Sequence, residues 1–218
     1  MKIKNIDIVI SLLEKEVAKF RLPIVTEFSR KNHDPFKILI STVLSLRTKD
    51  ETTRDASYRL FKKAATPRRM ILLTPREIEK LIYPVGFYKT KARSILHICH
   101  TLLNQYKGKV PDTIDDLLTL KGVGRKTANL VVTLGYGKYG ICVDTHVHRI
   151  SNRFGLVKTK NPNETEFTLR EILPKKHWII YNDLLVSYGQ NLCRPISPLC
   201  STCPLHKYCN RVGVEKSR

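Results

Sequence analysis

Four of the six cysteines in the chain lie in one short segment near its end. They are Cys193, Cys200, Cys203 and Cys209, with six, two and five residues between them. Four thiols in a segment of this length can hold a zinc ion or a [4Fe–4S] cube, or can pair as disulfides. Zinc sites usually contain two Cys-x-x-Cys pairs, and this segment has one. The spacing alone therefore leaves all three interpretations open.

The segment KGVGRKTANLVV, residues 121–132, contains a second pattern that could bind or react. Two helical patterns flank the glycines, so Gly122 and Gly124 are predicted to form a tight turn with positive φ. Such a turn leaves N–H groups at the start of the second helix, where the helix dipole favours an anion. We therefore expect a DNA phosphate to bind at Gly122, Val123, Gly124 and Arg125, a contact that grips the backbone without reading bases. A sharp corner between two helices, with no binding role, is the alternative.

Two further residues could do covalent chemistry. Lys126 follows the turn, and a helix N-terminus among other cations favours the neutral, nucleophilic amine of a lysine. A solvated lysine that contacts phosphate is the alternative. Asp144, in the stretch ICVDTHVHR, follows an apolar run and is predicted to cap the next helix. A capping carboxylate can still face a cleft, so Asp144 is also a candidate acid–base partner.

The charge of the chain predicts a polyanionic partner. Its 218 residues include 39 Lys and Arg against 19 Asp and Glu, which gives a net charge of +20. Nucleic acid is the commonest partner of such a protein, and an anionic membrane surface or ribosomal RNA is the alternative. Acidic residues interrupt the N-terminal apolar pattern, and no apolar run reaches the ~18 residues of a membrane span. We expect an intracellular protein, in cytoplasm or nucleoid, where disulfides are rare.

Helix signals recur along the chain, and alternating strand patterns are absent, which predicts an all-α fold. Start signals predict helices capped by Asp34, Asp50 and Thr74, the last with a capping box. Stop signals predict helix ends at Gly135 and Gly189. The remaining cysteines, Cys99 and Cys142, lie in apolar surroundings and are expected to be buried thiols.

Together these segments resemble the endonuclease III family of DNA glycosylases, in the helix-hairpin-helix superfamily. LKGVGRKTANLVV is similar to the family's hairpin and places the catalytic lysine at Lys126. VDTHVHRISNRFGL is similar to the segment that carries the catalytic aspartate, here Asp144. CRPISPLCSTCPLHKYC has the family's cysteine spacing, which implies a [4Fe–4S] cluster. Its implied ligands are Cys193, Cys200, Cys203 and Cys209.

The resemblance implies an architecture of two helical lobes with a DNA-binding cleft between them. A six-helix barrel lobe containing the hairpin is expected at residues 25–137. The second lobe, at residues 1–24 and 138–218, is expected to hold the cluster loop. The implied partner is damaged double-stranded DNA. The protein is expected to act as a monomer and to have no membrane partner.

The implied activity is that of a bifunctional DNA glycosylase and abasic-site lyase of base excision repair. Lys126 would displace an oxidised pyrimidine such as thymine glycol, with help from Asp144, and the resulting Schiff base would allow β-elimination. A monofunctional mismatch glycosylase and a non-enzymatic DNA-binding protein with a structural metal site are the alternatives. Mismatch glycosylases of the superfamily lack the lysine, and a binding protein has no need of it, so Lys126 argues against both.

The resemblance also suggests residues that contact the distorted duplex. By their positions in LSLRTKD and VGFYKTKA, Arg47 and Phe87 are the candidates to fill the hole left by an extruded base, where many relatives carry Gln and Leu. Apolar packing is the alternative for Phe87. The difference leaves the preference for the opposite base open. His146 would line the lesion pocket or pack in the core. Arg194 is the basic residue in the loop between the first two cysteines, where relatives present basic side chains to DNA.

Overall fold

The structure is a computed structural model that describes residues 5–20 and 24–218. Within these ranges the regular elements are helices and there is no β-strand, which confirms the predicted all-α class. The chain divides into two compact units. We call Ile24–Lys138 the hairpin unit, and Met1–Pro23 with Tyr139–Arg218 the cysteine unit. None of the helices in the described ranges has both the length and the apolar character that a bilayer crossing requires.

The hairpin unit is built around one buried helix, α3 (Pro35–Ser45). Almost every residue from Phe36 to Leu44 is buried, because this helix is apolar on all sides and contacts several others. The unit ends in a π-helical turn, Val131–Gly135, so the predicted helix end at Gly135 is confirmed. Its α-helices are α2 (Ile24–Asn32), α3 (Pro35–Ser45), α4 (Asp50–Lys63), α5 (Pro67–Met70), α6 (Pro75–Ile82), α7 (Tyr88–Tyr106), α8 (Ile114–Leu118) and α9 (Arg125–Leu130).

Two of the three predicted helix caps in this unit are confirmed. The Asp34 carboxylate accepts hydrogen bonds from the first amides of α3, and Thr74 forms a complete capping box at α6. The prediction for Asp50 is wrong, since Lys49 is the N-cap of α4 and Asp50 is its first residue. Asp50 Oδ1 instead accepts the N–H of Ile24, the first residue of α2, at 3.0 Å. The Asp50 carboxylate therefore accepts a hydrogen bond from a distant backbone N–H, not from the local helix start that the sequence predicted.

The cysteine unit combines the N-terminal helix with the last part of the chain. Its core joins Leu13 of the first helix to Ile150, Tyr181 and Leu185 of later helices, all of which are fully buried. Cysteines of the C-terminal loop pack against this same core. The helices are α1 (Ile6–Val17), α10 (Thr145–Phe154), α11 (Pro162–Ile172) and α12 (Trp178–Asn191).

The predicted helix end at Gly189 is wrong, because α12 continues through it to Asn191. A Cβ atom at Gly189 would lie 2.4 Å from His146 Nδ1 and 2.9 Å from Arg149 Nη2. The glycine is therefore required by the close approach of α10 to α12, not by a helix end.

Cys99 and Cys142 are 0% and 2% exposed, which confirms the prediction that both are buried. Burial raises the pKa of the Cys99 thiol to about 12, so this side chain stays protonated and unreactive.

Candidate functional site

The predicted hairpin is present and lies between α8 and α9 in the hairpin unit. Val123 anchors it, because its side chain is buried and its N–H donates to Leu120 O at 3.0 Å. Gly122 has φ +88°, as predicted. The prediction of positive φ for Gly124 is wrong, because this residue is the extended N-cap of α9 with φ −100°. A helix N-cap takes β-region backbone, which does not require a positive φ.

Lys126 is the second residue of α9, so its position at the start of the helix after the hairpin agrees with the sequence pattern. Arg125 and Lys126 are both half-buried, while the following residues, Thr127–Leu130, are buried. The helix thus fixes the backbone of both basic residues against the core. Its continuation as a π-helical turn is a feature that often occurs at functional sites.

Asp144 is the N-cap of α10, which confirms the predicted cap. Its Oδ1 accepts hydrogen bonds from the amides of His146 at 2.8 Å and Val147 at 2.9 Å. The residue is 9% exposed and follows a buried stretch, Ile141–Val143. Two amides therefore orient a nearly buried carboxylate. Asp144 belongs to the cysteine unit and Lys126 to the hairpin unit.

His146 is half-buried and packs closely on α12. Its Nδ1 lies 3.0 Å from Arg149 Nη2, and a guanidinium can only donate, so Nδ1 is the acceptor. This contact fixes the tautomer of a neutral ring, with the proton on Nε2. Burial lowers the pKa of Arg149, while the nearby groups of Cys193 and Asp144 act in the opposite direction.

A row of side chains on α10 reaches the first cysteine of the C-terminal loop. Arg149 Nη2 donates to Cys193 O at 2.9 Å, and Arg153 Nη1 donates to Cys193 Sγ at 3.4 Å. Arg153 also donates to the carbonyl oxygens of Arg194 and Pro195 at 2.6 and 2.7 Å. The helix capped by Asp144 is therefore hydrogen-bonded directly to the loop. The i, i+4 spacing of the two arginines in the sequence is the signal that could have predicted this face.

The four cysteines of the C-terminal loop line one cavity. Burial raises the pKa of the Cys203 and Cys209 thiols, and hydrogen bonds to their sulfurs oppose this effect. Cys203 Sγ lies 2.9 Å from the hydroxyl of Tyr188, and Cys209 Sγ accepts the N–H of Arg211 at 3.4 Å. Among the described residues, no group of three or more His, Cys, Asp or Glu side chains is arranged to hold a metal ion.

Convergent thiols with hydrogen-bond donors directed at sulfur form a donor set that suits an iron–sulfur cluster. In a cube each thiolate binds a different iron atom, so the sulfurs need not approach one another as closely as around a single zinc ion. The residues present therefore fit the cluster that the family resemblance implies.

Arg47 and Phe87 lie together on the surface of the hairpin unit. The guanidinium carbon of Arg47 is 5.7 Å from the centroid of the Phe87 ring, and Phe87 is 63% exposed. Both residues have left-handed backbone, with φ of 52° and 58°. Such a conformation costs a non-glycine residue on the order of 1 kcal/mol and persists when the surroundings hold it. The structure thus brings the two predicted hole-filling residues into contact on exposed, strained loops.

Arg194 is exposed in the loop between the first two cysteines, and its Nε donates to Asn191 O at 3.2 Å. Its neighbour Ile196 is 86% exposed, which the sequence analysis did not single out. No sequence pattern predicts that a single apolar residue in a loop will be exposed.

Comparisons with known proteins agree with this arrangement. A family model described as "HhH-GPD superfamily base excision DNA repair protein" matches residues 40–175. Endonuclease III of Thermotoga maritima is 47% identical over 188 residues, which cover 85% of this chain and 88% of that protein. Endonuclease III of Bacillus subtilis is 35% identical over 85% of this chain and 84% of its own length.

A solved structure described as a trapped endonuclease III–DNA covalent intermediate, in an estranged-adenine complex, is similar over nearly the whole chain. The alignment covers 97% of each chain at 35% identity, with a TM-score of 0.86. The chain therefore belongs to the HhH-GPD superfamily of base excision DNA repair proteins and, within it, to the endonuclease III family.

Proposed function

We propose that this protein is a bifunctional DNA glycosylase and abasic-site lyase of base excision repair. It removes oxidised pyrimidines such as thymine glycol from duplex DNA and cuts the remaining abasic site by β-elimination. One observation carries the proposal: a lysine, Lys126, lies in the first turn of the helix after the hairpin, in a chain that resembles an enzyme trapped covalently on DNA over 97% of its length. A covalent intermediate requires a nucleophile on the protein, and an amine can provide it.

The hairpin is the proposed anchor on the DNA backbone. Val123 fixes the turn in the core, and Gly122 and Gly124 bring the main chain and the start of α9 to the surface. Phosphate suits such a helix start, and the side chain of Arg125 adds charge beside it. With a net charge of +20, the protein binds DNA with a strong dependence on salt.

Lys126 is the proposed nucleophile of both steps. Its neutral amine attacks C1′ of the extruded nucleotide, and the bond from C1′ to the base breaks as the base departs with the bonding electrons. Loss of the remaining amine proton and opening of the sugar ring give a Schiff base between Lys126 and C1′. The Schiff base acidifies the C2′ proton, and its removal expels the 3′ phosphate, which cuts the strand. Hydrolysis of the imine then returns the lysine.

Asp144 is the proposed acid–base partner. The amides of His146 and Val147 hold one of its carboxylate oxygens, so the orientation of the group is fixed before substrate binds. An oriented carboxylate stabilises the positive charge that develops on the sugar and accepts the proton that Lys126 must lose. His146, oriented by Arg149, is the proposed polar lining of the lesion pocket.

Arg47 and Phe87 are proposed to fill the space that the extruded nucleotide leaves. Extrusion costs a few kcal/mol of stacking and pairing, less for a damaged base, and an inserted aromatic ring restores part of the stacking. The guanidinium of Arg47 offers several donors to the unpaired opposite base. Because both side chains are exposed and in contact, they can enter the duplex as one unit.

Cys193, Cys200, Cys203 and Cys209 are the proposed ligands of a [4Fe–4S] cluster. When bound, the cluster supplies a covalent cross-link for a loop that has little regular structure of its own. The hydrogen bonds of Arg153 and Tyr188 to ligand sulfurs connect this loop to α10 and α12. The exposed side chain of Arg194 is proposed to contact DNA from the same loop.

Product analysis tests the proposed activity. A duplex with one thymine glycol and a labelled 5′ end is incubated with the protein, and half of each sample is treated with alkali. A bifunctional enzyme nicks the strand in the untreated half, because β-elimination is part of its reaction. Base release with nicks only after alkali would identify a monofunctional glycosylase, and binding without release would identify a non-enzymatic protein.

A further inference from the structure

A buried lysine outside the proposed catalytic residues lies beneath the loops of Arg47 and Phe87. Lys91 lies in the first turns of α7 and is 7% exposed. Its ammonium donates three hydrogen bonds, to Leu44 O at 2.8 Å, Leu46 O at 2.5 Å and Thr48 Oγ1 at 3.1 Å. All three acceptors are neutral oxygens, and burial lowers the pKa of Lys91 to about 8. Lysine is rarely buried in this way without a function or a partner charge.

The acceptors of the Lys91 ammonium lie at the C-terminal end of α3, which explains why a cation is favourable there. Helix α3 ends at Ser45, and the last carbonyls of a helix have no partner within it. A cation at this end satisfies them and interacts favourably with the helix dipole. Lys91 thus fixes the end of α3, from which the loop with Arg47 departs.

Thr48 extends the contact to the second loop. Its hydroxyl oxygen accepts from Lys91 and also from the backbone N–H of Gly86 at 3.2 Å. A Cβ atom at Gly86 would lie 2.7 Å from the carbonyl oxygen of Arg47, so the two loops touch through their backbones. Lys91, Thr48 and Gly86 therefore connect the loop of Arg47 directly to the residue before Phe87.

We infer that Lys91 is a positioning residue that holds the loops of Arg47 and Phe87 together, so that both side chains enter duplex DNA as one wedge. The left-handed backbone of both residues needs such support, because neither would adopt it by itself. Lys91 touches no reacting atom in this account. The inference rests on the proposed function, since it assigns support to the step in which a base leaves the stack.

The test compares a duplex with a single strand. Base extrusion and hole filling are needed in a duplex, whereas a single-stranded oligonucleotide with an abasic site can react with Lys126 without them. Lys91→Met keeps the apolar stem and removes the cation. We expect it to slow thymine glycol release from the duplex by about tenfold or more, because small misplacements of positioning groups have effects of this size. Borohydride trapping on the single strand should stay within about twofold of wild type.

Two comparisons separate positioning from a general loss of fold. Lys89→Met removes the same charge from an exposed position of α7 and should leave the duplex-to-single-strand ratio unchanged. In a protein that already carries Arg47→Ala and Phe87→Ala, Lys91→Met should add less than about twofold, because its effect passes through those side chains.

A second pair of variants guards against misfolding of Lys91→Met. Thr48→Val removes the bridging hydroxyl at nearly constant volume and should give the same duplex-selective loss, and Thr48→Ser should restore the rate. Two outcomes would overturn the inference and leave the proposed function intact. One is an equal loss of rate on both substrates. The other is a rate loss from Lys91→Met that is as large in the Arg47→Ala, Phe87→Ala background as in the wild type. Absence of trapping and base release by the wild-type protein would instead contradict the proposed function.

Discussion

At the scale of single residues, Asp144 combines a structural and a proposed chemical role that two substitutions can separate. Asp144→Asn keeps an oxygen that caps α10, so the free energy of unfolding should change by less than about 0.5 kcal/mol, whereas Asp144→Ala loses the cap and about 1 kcal/mol. Both should slow base release by about a hundredfold, since both remove the carboxylate. Thermal unfolding and single-turnover release of thymine glycol measure the two effects. Near wild-type release by Asp144→Asn would show that the residue is only a cap.

The sequence predicts residue roles well where the partners are close in the chain. Asp34 and Asp144 were identified as caps because the backbone amides that donate hydrogen bonds to them lie two and three residues further along the chain. Asp50 was assigned wrongly because its partner, Ile24, is 26 residues away. Lys91 was missed for the same reason, since its acceptors come from another helix end and nothing near it in sequence indicates burial. Tertiary contacts of this kind override local signals.

At the scale of elements, the packing of α10 on α12 depends on a glycine inside a helix. Alanine normally stabilises a helix interior by about 1 kcal/mol relative to glycine. Here the new Cβ would lie 2.4 Å from His146 Nδ1 and 3.0 Å from Ile150 Cδ1. We therefore expect Gly189→Ala to lower the free energy of unfolding by about 1–3 kcal/mol, the usual effect of overpacking, despite its better helix propensity.

A double-mutant cycle checks that the clash with the histidine is the cause. In a His146→Ala background, chemical denaturation should show that Gly189→Ala loses much of its cost, because the nearest atom is gone. Equal costs in both backgrounds would contradict the account of this contact.

The same glycine shows why the sequence predicted the elements better than their ends. A glycine after an apolar periodic stretch indicates a helix end, and this signal gave the correct end at Gly135. At Gly189 an identical signal reports close helix contact instead. Gly124 was likewise assigned a positive φ, but of the two hairpin glycines Gly122 alone has one. The sequence pattern cannot distinguish a glycine that is needed for its backbone conformation from one that is needed because a side chain would clash.

At the scale of the whole molecule, the cysteine loop takes part in the core of the cysteine unit. Cys193, Cys203 and Cys209 pack against the buried core to which α1, α10 and α12 contribute. Removal of the proposed cluster should therefore loosen this core, because the loop loses its cross-link. Hydrogen exchange of the iron-loaded and chelator-treated protein should show faster exchange in α10 and α12. Similar exchange in both samples would contradict a stabilising role, and the hairpin unit serves as the internal reference.

The helical class and the polyanionic partner could be predicted from patterns spread over the whole chain, namely helical periodicity and the excess of 20 positive charges. The reactive residues could not be identified from such averages. Lys126 became a candidate nucleophile only through its position after the hairpin, and its role is a matter for direct chemical test.

Borohydride trapping tests the central claim most directly. A duplex with one thymine glycol is incubated with the protein and borohydride, which reduces an imine to a stable amine and leaves the protein bound to DNA. Wild type and the control Lys158→Ala, an exposed loop residue, should both give the covalent band, and Lys126→Ala should give none. A band of undiminished strength from Lys126→Ala, or base release by wild type without any band, would contradict Lys126 as the nucleophile.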